Sequence, residues 1–517
     1  MLKHTTRSLW LLFVPMLLVF TSCNDDLLVE QPTDRLSPTN FFRNASDAEV
    51  ALNAIYAGQQ RIQGYSGGDA GVANVWGMHG TDDIVVPPWT NPPDRRLIAL
   101  FQLDPTINAF YTIYQRHYQE IARANTILNQ ISLMTEDKID PEEKARILAE
   151  GRTIRASFYF NLVRIYGNVP LETEERTDFT NLDFTQADPA AIYEFITSEL
   201  EFAVSVLEPG MNTGRITQGA AQALLGNVYL QMAGEPLNQN DKYALAADQY
   251  ESVMGMGYNL LDDFESVFSY QNELNDEGIY IVEHDGPGQS LDNTATSNLG
   301  SFMGPGGQLP DGAGWGTAWA NSELEMEFDR DDIRRRVSFA YHNAPNVQDS
   351  TRGPNQFLPW KWQKPQVANG QSWANDTPFD YVYIRLAGVL LGYAEAEIRS
   401  GGDIEAAVAA ANRVRARARG EASADEFLPD LTADMGTEAL IDAILKERQK
   451  ELLYEGHRKG DLIRTGRLIP LMSDFDCSFS AVCPGRPDPK PHHIYWPIPQ
   501  RVLDLNESMT QNPGYEN

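Results

Sequence analysis

The side chains whose type and setting suggest chemistry are aromatic rings in loops. Residues 64–105 lose helical periodicity and begin GYSGGDAGVANVWGMHGTDDIVVPPWTNPPD. A structureless stretch of that length inside a compact body is usually functional or disordered. Here it carries Tyr65, Trp76 and Trp89 among Gly, Asn and Asp, which favours function. A second Gly-rich stretch, GPGGQLPDGAGWGTAWANSELEMEF, holds Trp315 and Trp319 and leads into a helix near Asn321. The chemistry such residues offer is non-covalent. A flat ring covers an apolar C–H face, and Asn74, Asp82, Asp83 and Asn91 can satisfy a rim of hydroxyls. A neutral sugar has both features. A ring in an arbitrary protein is more often core than platform, so the loop setting carries the argument.

Covalent chemistry has weaker support. The chain has no H-E-x-x-H or phosphate-loop motif. Glycoside hydrolysis needs two carboxylates about 5–10 Å apart across a cleft. With 72 acidic residues, such pairs arise by chance. Glu447, Arg448, Glu451, Glu455, Arg458, Asp461 and Arg464 sit on or just after one helix, and an ion network closing a helix pile is preferred there over a catalytic pair. The expectation is a binding protein, not an enzyme. A net charge of −31 argues against nucleic acid and anionic lipid, and disfavours a polyanionic ligand unless a local basic patch overrides it. No cofactor is expected; a structural Ca²⁺ on Asp-rich loops is left open.

Helices must position the loops. Over residues 144–170, Ile147, Ile154, Phe158, Leu162 and Ile165 make one apolar stripe. Leu148, Phe160, Val163 and Tyr166 make a second, so the helix is sandwiched between others. Gly167 and Pro170 stop it. Arg152, Arg155 and Arg164 must leave through gaps or find carboxylates. Residues 46–63 read as a helix capped by Ser46, with Val50, Ile55 and Ile62 inward; 107–131 and 188–207 are further helices. Leu225, Gly226 and Tyr229, with Ala246 and Tyr250, fit a tetratricopeptide pair. A weaker copy has Leu391, Gly392 and Glu395, then Ala407 and Ala411. Residues 262–380 are loop-dominated, with a strand in DEGIYIVEHDG. Trp360 and Trp362, two apart, would share a strand face. Trp-Pro-Ile-Pro near the end reads as an extended segment tucked against the body. The expected fold is mostly α: a tetratricopeptide-like helical pile with a loop-rich, partly β second lobe, divided near residue 270.

Residues 1–22 read as a targeting segment, with Lys3, His4 and Arg7 ahead of an apolar run from Leu9 to Phe20 that is too short to span a bilayer. Thr21 and Ser22 precede Cys23, which resembles a bacterial lipoprotein signal with Cys23 as the lipidated terminus; Phe20 departs from the usual aliphatic residue. An ordinary secretory signal is the alternative. Residues 23–45 would be an acidic tether. Cys477 and Cys483 remain, and an exported chain favours a disulfide between them. A metal site using His492 and His493 matches no standard zinc spacing.

Several stretches together resemble the SusD/RagB family of outer-membrane nutrient-uptake lipoproteins. They are EGRTIRASFYFNLVRIYGNVPL, RITQGAAQALLGNVYL, YIRLAGVLLGYAEAEIRSG, ERQKELLYEGHRKGDLIRTGR and WPIPQRVLDLNESMTQNPGY, in the same order along nearly the whole mature chain. The resemblance implies an N-terminal SusD-like helical domain over 46–270 and a C-terminal RagB/SusD domain over 271–517. It implies a lipid-anchored surface protein of the outer membrane, capping a SusC-like TonB-dependent transporter. It implies binding of an oligosaccharide, polysaccharide or other nutrient oligomer; peptide cargo is an alternative and a glycoside hydrolase a lesser one. Starch-binding members use an arc of rings, and only type and rough location carry over, onto Trp89 with Asn91 and onto Trp315. Trp76, Tyr65 and Trp319 are candidates on local chemistry alone.

Overall fold

Capping and burial explain the central helix first. The computed structural model describes residues 41–515 except 64–70, 92, 179, 181–182, 212, 285–296, 298, 300–317, 342–356, 363–378 and 479–482. The signal segment, Cys23, most of the tether, Tyr65 and Trp315 lie outside the described residues. The main helices are α1 (Ala45–Gln63), α2 (Asn108–Ser132), α3 (Pro141–Tyr166), α4 (Pro189–Val206), α5 (Gln218–Ala233) and α6 (Lys242–Met254). After a loop-rich stretch come α7 (Leu386–Ser400), α8 (Ile404–Arg419), α9 (Thr437–Glu451) and α10 (Arg458–Arg464). Asp140 caps α3: its carboxylate accepts from the backbone N–H of Glu142 at 2.9 Å, and Pro141 fills the first turn. Gly167, with φ +71°, ends it. From Ile147 to Tyr166 almost every side chain is buried, because α1, α2 and α4 all pack on α3. Arg155, buried on that helix, donates to Glu199 at 3.0 Å and to Asn125 at 2.8 Å.

The small residues of the repeat-like pairs have a specific use. A Cβ on Gly226 would lie 2.7 Å from the Tyr250 ring, and one on Gly392 would lie 2.9 Å from the same ring. Tyr250 is thus wedged between α5 and α7, and its hydroxyl donates to Asn227 at 2.8 Å. The two predicted hairpins, α5–α6 and α7–α8, stack through this one ring into a tetratricopeptide-like pile. The fold is mostly α, as the sequence predicts.

Two details of α1 differ from expectation. Asn44, not Ser46, supplies the cap, accepting from the Asp47 N–H at 3.1 Å. Val50 is 53% exposed. Five residues before Ile55, it lies well round the helix from the inward Ile55–Ile62 stripe.

The β structure consists of short antiparallel pairs, among them β1 (Ile84–Val85) with β3 (Trp319–Ala320), β2 (Gly278–Val282) with β6 (Tyr381–Arg385), and β4 (Phe339–Tyr341) with β5 (Phe357–Pro359); one more joins Val169–Pro170 to Gln186–Ala187. Trp360 and Trp362 do not share a strand face, because β5 ends at Pro359. Trp362 enters the main core against Phe268 and Phe379, and Trp360 packs on a separate small cluster. One continuous buried cluster runs from Ala48 to Met509, across residue 270.

Glu447, Arg448 and Glu451 on α9 and Glu455 in the turn after it are buried together. Arg385 bonds Glu277 at 2.7 Å, Glu451 at 2.5 Å and Glu455 at 2.8 Å. Arg334 bridges Asp332 and Glu447, Arg417 pairs with Glu277 and Glu451, and Lys361 meets Glu455. Burial pushes the Glu451 carboxyl up, but Arg417, Arg385 and Arg334 outweigh it and hold the group far below the usual carboxylate range. A second set joins Arg464 to Glu395 and Asp461, and Arg448 to Asp461. The C-terminal segment closes the pile: Trp496 N–H donates to the Ile165 carbonyl at 2.7 Å, and Asn512 donates to Tyr166 at 2.8 Å.

Candidate ligand-binding platform

Two prolines and a two-residue ladder set up the candidate site. In the β1–β3 pair, Val85 sits opposite Trp319. Pro87 and Pro88 follow, and the Thr90 N–H closes a turn onto the Pro87 carbonyl at 3.0 Å. Arg96 donates to the Pro88 carbonyl at 2.9 Å and ties the turn down. Prolines fix φ at the start of such a turn. The turn lifts Trp89 into solvent, 63% exposed, with exposed Asn91 two residues on.

Trp89 does not stand alone. Its ring meets Trp319 edge to face, with centroids 6.3 Å apart and planes at 82°. Trp319 is buried, in a small cluster with Val85 and Cys477 that is distinct from the main core. Trp360, Phe475 and Cys483 pack on that cluster. Cys477 and Cys483 are joined as a disulfide, with Cα atoms 5.3 Å apart. An edge-to-face ring pair contributes about 0.5–1.5 kcal/mol beyond its buried area and leaves one face of the outer ring open.

The approach to β1 is held from behind. Arg458, which opens α10, grips Asp82 with two hydrogen bonds of 2.8 Å. Gln449 donates to Asp82 at 2.9 Å and to Asp83 at 3.1 Å. Asn321, just after β3, donates its side-chain amide to the Asp82 carbonyl at 2.8 Å and its backbone N–H to the Asp83 carbonyl at 3.1 Å. Burial, then the neighbouring Asp82 charge, pushes the Asp83 carboxyl up to about 7. Beside this support lies a cavity of about 480 Å³ lined in part by Asp82, Asn321, Gln449, Arg458 and Phe475. Phe475 belongs to both the cavity wall and the Trp319 cluster, so the cavity lies beside the support of the platform.

The structure therefore brings Trp89, Asn91 and Trp319 to one region. It removes Trp76, which is 2% exposed with the Arg164 guanidinium 5.0 Å over its ring. The reason is local: Val72–Val75 is a helical turn, and Trp76 continues it into the core. Asp82 and Asp83 are also not open ligand groups, because Arg458 and Gln449 occupy them. His493 stacks on Phe101, and among the described residues no group of three or more His, Cys, Asp or Glu is arranged to hold a metal. Sequence reasoning missed Trp360 and the disulfide as the platform's wall, and Arg458 and Gln449 as its support.

Comparison with known proteins decides the family. A family model described as "SusD family" matches residues 316–515, and another described as "Starch-binding associating with outer membrane" matches 100–230. A solved SusD homologue from Bacteroides thetaiotaomicron superposes with a TM-score of 0.80 at 26% identity, covering 93% of this chain and 99% of that one. The chain is a SusD-like family member. A laminarin-binding SusD-like protein is similar to this SusD-like chain at 28% identity, with a TM-score of 0.73 over 92% of this chain and all of that one. A SusD-like protein of Formosa agariphila is 26% identical over 98% of this chain and 99% of its own length. Trp89 precedes the first matched segment, whereas Trp319, Trp360 and both bonded cysteines fall within the second. The platform of this SusD-like chain is thus assembled from residues some 230 positions apart, 319 against 89.

Proposed function

We propose that the protein is a glycan-binding lipoprotein of the outer-membrane exterior, anchored through Cys23, that captures an oligosaccharide on the Trp89 platform. It hands the cargo to a SusC-like TonB-dependent transporter and does not cleave it. The observation that carries this reading is one ring: Trp89 is 63% exposed yet braced edge-on by Trp319. A large ring held open to water and braced in one orientation offers a flat apolar face, and a sugar's C–H face fits it. Exposed Asn91 offers a hydrogen bond to the hydroxyl rim. Trp315, four residues before Trp319, is proposed to complete the arc, and Tyr65 to extend it. The laminarin-binding and starch-binding relatives support glycan as the cargo class.

The test is retention of the purified mature protein on affinity gels carrying laminarin, starch and other neutral polysaccharides, with reducing ends assayed in parallel. Retention without release of reducing ends is expected. No retention on any gel refutes capture, and release of reducing ends refutes pure binding. Gentle detergent extraction from the outer membrane is expected to bring down a large barrel partner; free lipoprotein alone refutes the hand-over.

A further inference from the structure

The cavity beside the platform contains three cations, and each is already neutralised. Arg458 is held by Asp82 at 2.8 Å. Arg467 is paired with Asp442, and Lys446 with Glu327. The buried Asp461 in the wall belongs to Arg448 and Arg464. Three more carboxylates line the same cavity on exposed residues: Glu323, Asp474 and Asp476. None of the three has a basic side chain within ion-pair distance among the described residues. Three cations nearby lie outside the lining and donate to backbone: Arg96 to Pro88, Arg486 to Ser473 and Lys450 to Glu327; the Arg486 charge also acts on Asp476.

We infer that this cavity is a charge filter for the platform, admitting neutral glycans and turning away chains that carry uronate or sulfate. The inference rests on the capture reading and adds the class of cargo. A glycan lying on Trp89 and continuing past Phe475 enters a space where seven carboxylates face three cations. A ligand anion there finds the three lining cations already paired and meets Glu323, Asp474 and Asp476, of which Asp476 is partly offset by Arg486. At about 7 Å in a water-like medium, each weakens binding about two- to threefold, and three together about tenfold at low salt. The strongly acidic chain as a whole adds to the same repulsion at longer range.

The probes are the neutral glycan retained best on the gels and the same glycan after partial sulfation. At an ionic strength of about 0.05 M, the sulfated form is expected to bind about tenfold more weakly, and the gap should shrink at about 0.5 M, where the screening length falls to a few ångströms. The double variant E327Q/D442N frees Lys446 and Arg467 and is expected to narrow the ratio about threefold or more; both sites are surface pairs, so folding should survive. Sulfated glycan bound as tightly as neutral, a gap that ignores salt, or a ratio unmoved in the double variant overturns the charge filter alone. Absence of any glycan binding overturns capture and removes the filter with it.

Discussion

Replacing Trp89 by Ala separates binding from folding more cleanly than any other change in this chain. A tryptophan side chain offers about 150–250 Å² of surface. With 63% of it exposed here, about 100–150 Å² faces water. A sugar covering the open face hides roughly half of that, or about 50–75 Å², which at about 25 cal/mol per Å² contributes about 1.3–1.9 kcal/mol. W89A should therefore weaken glycan binding about 10- to 25-fold. The cost to stability is limited to the edge contact with Trp319, about 1 kcal/mol, because an exposed side chain gives up little packing. Isothermal titration with the best-retained glycan gives the first number, and thermal unfolding by circular dichroism gives the second. An affinity within twofold of wild type would show that the ring is not a platform. A large fall in melting temperature would show that Trp89 is structural after all. The control is W76A at the buried ring, expected to cost about 3–5 kcal/mol of stability.

The other expectations concern the frame. E451Q leaves Arg334, Arg385 and Arg417 short of a buried partner and should destabilise by about 3–5 kcal/mol, read from the denaturant midpoint. G392A pushes a methyl into a Tyr250 ring already backed by Gly226, so a loss of about 1–3 kcal/mol is expected; a neutral result would mean the ring has room. Asp83, with its folded pKa raised to about 7, binds more protons in the folded chain than in the unfolded one between its ordinary value and neutrality. Stability contributed there is therefore lost as pH rises from about 4 to about 7. D83N should flatten that slope in melting temperature, and an unchanged slope would place the titration elsewhere.

The pile was legible because α3 carries two apolar stripes and because Gly226 and Gly392 each sit in an Ala-rich helical pair. What the spacing could not give was that both glycines serve one ring, since Tyr250 lies 24 residues from one and 142 from the other. The ion network was legible in kind, from charges three and four apart on α9. Its partners Glu277, Arg334 and Arg385 come from far along the chain and carry no local signal. In the site, loop composition pointed to Trp89 and Trp319 but also to Trp76. The difference is a single helical turn, Val72–Val75, too short to stand out by periodicity. Trp360 and Trp362 went to different clusters because a strand ended one residue too soon for alternation to hold.

The ring pair, the disulfide and Trp360 form a small knot of their own, joined to the continuous interior of the helices through Phe475. Substitution of its exposed ring, Trp89, removes no member of the larger interior. On the proposed capture role, cargo would change through a handful of codons in two or three surface segments, while the stack beneath is inherited. Selection for cargo and selection for folding fall on different side chains.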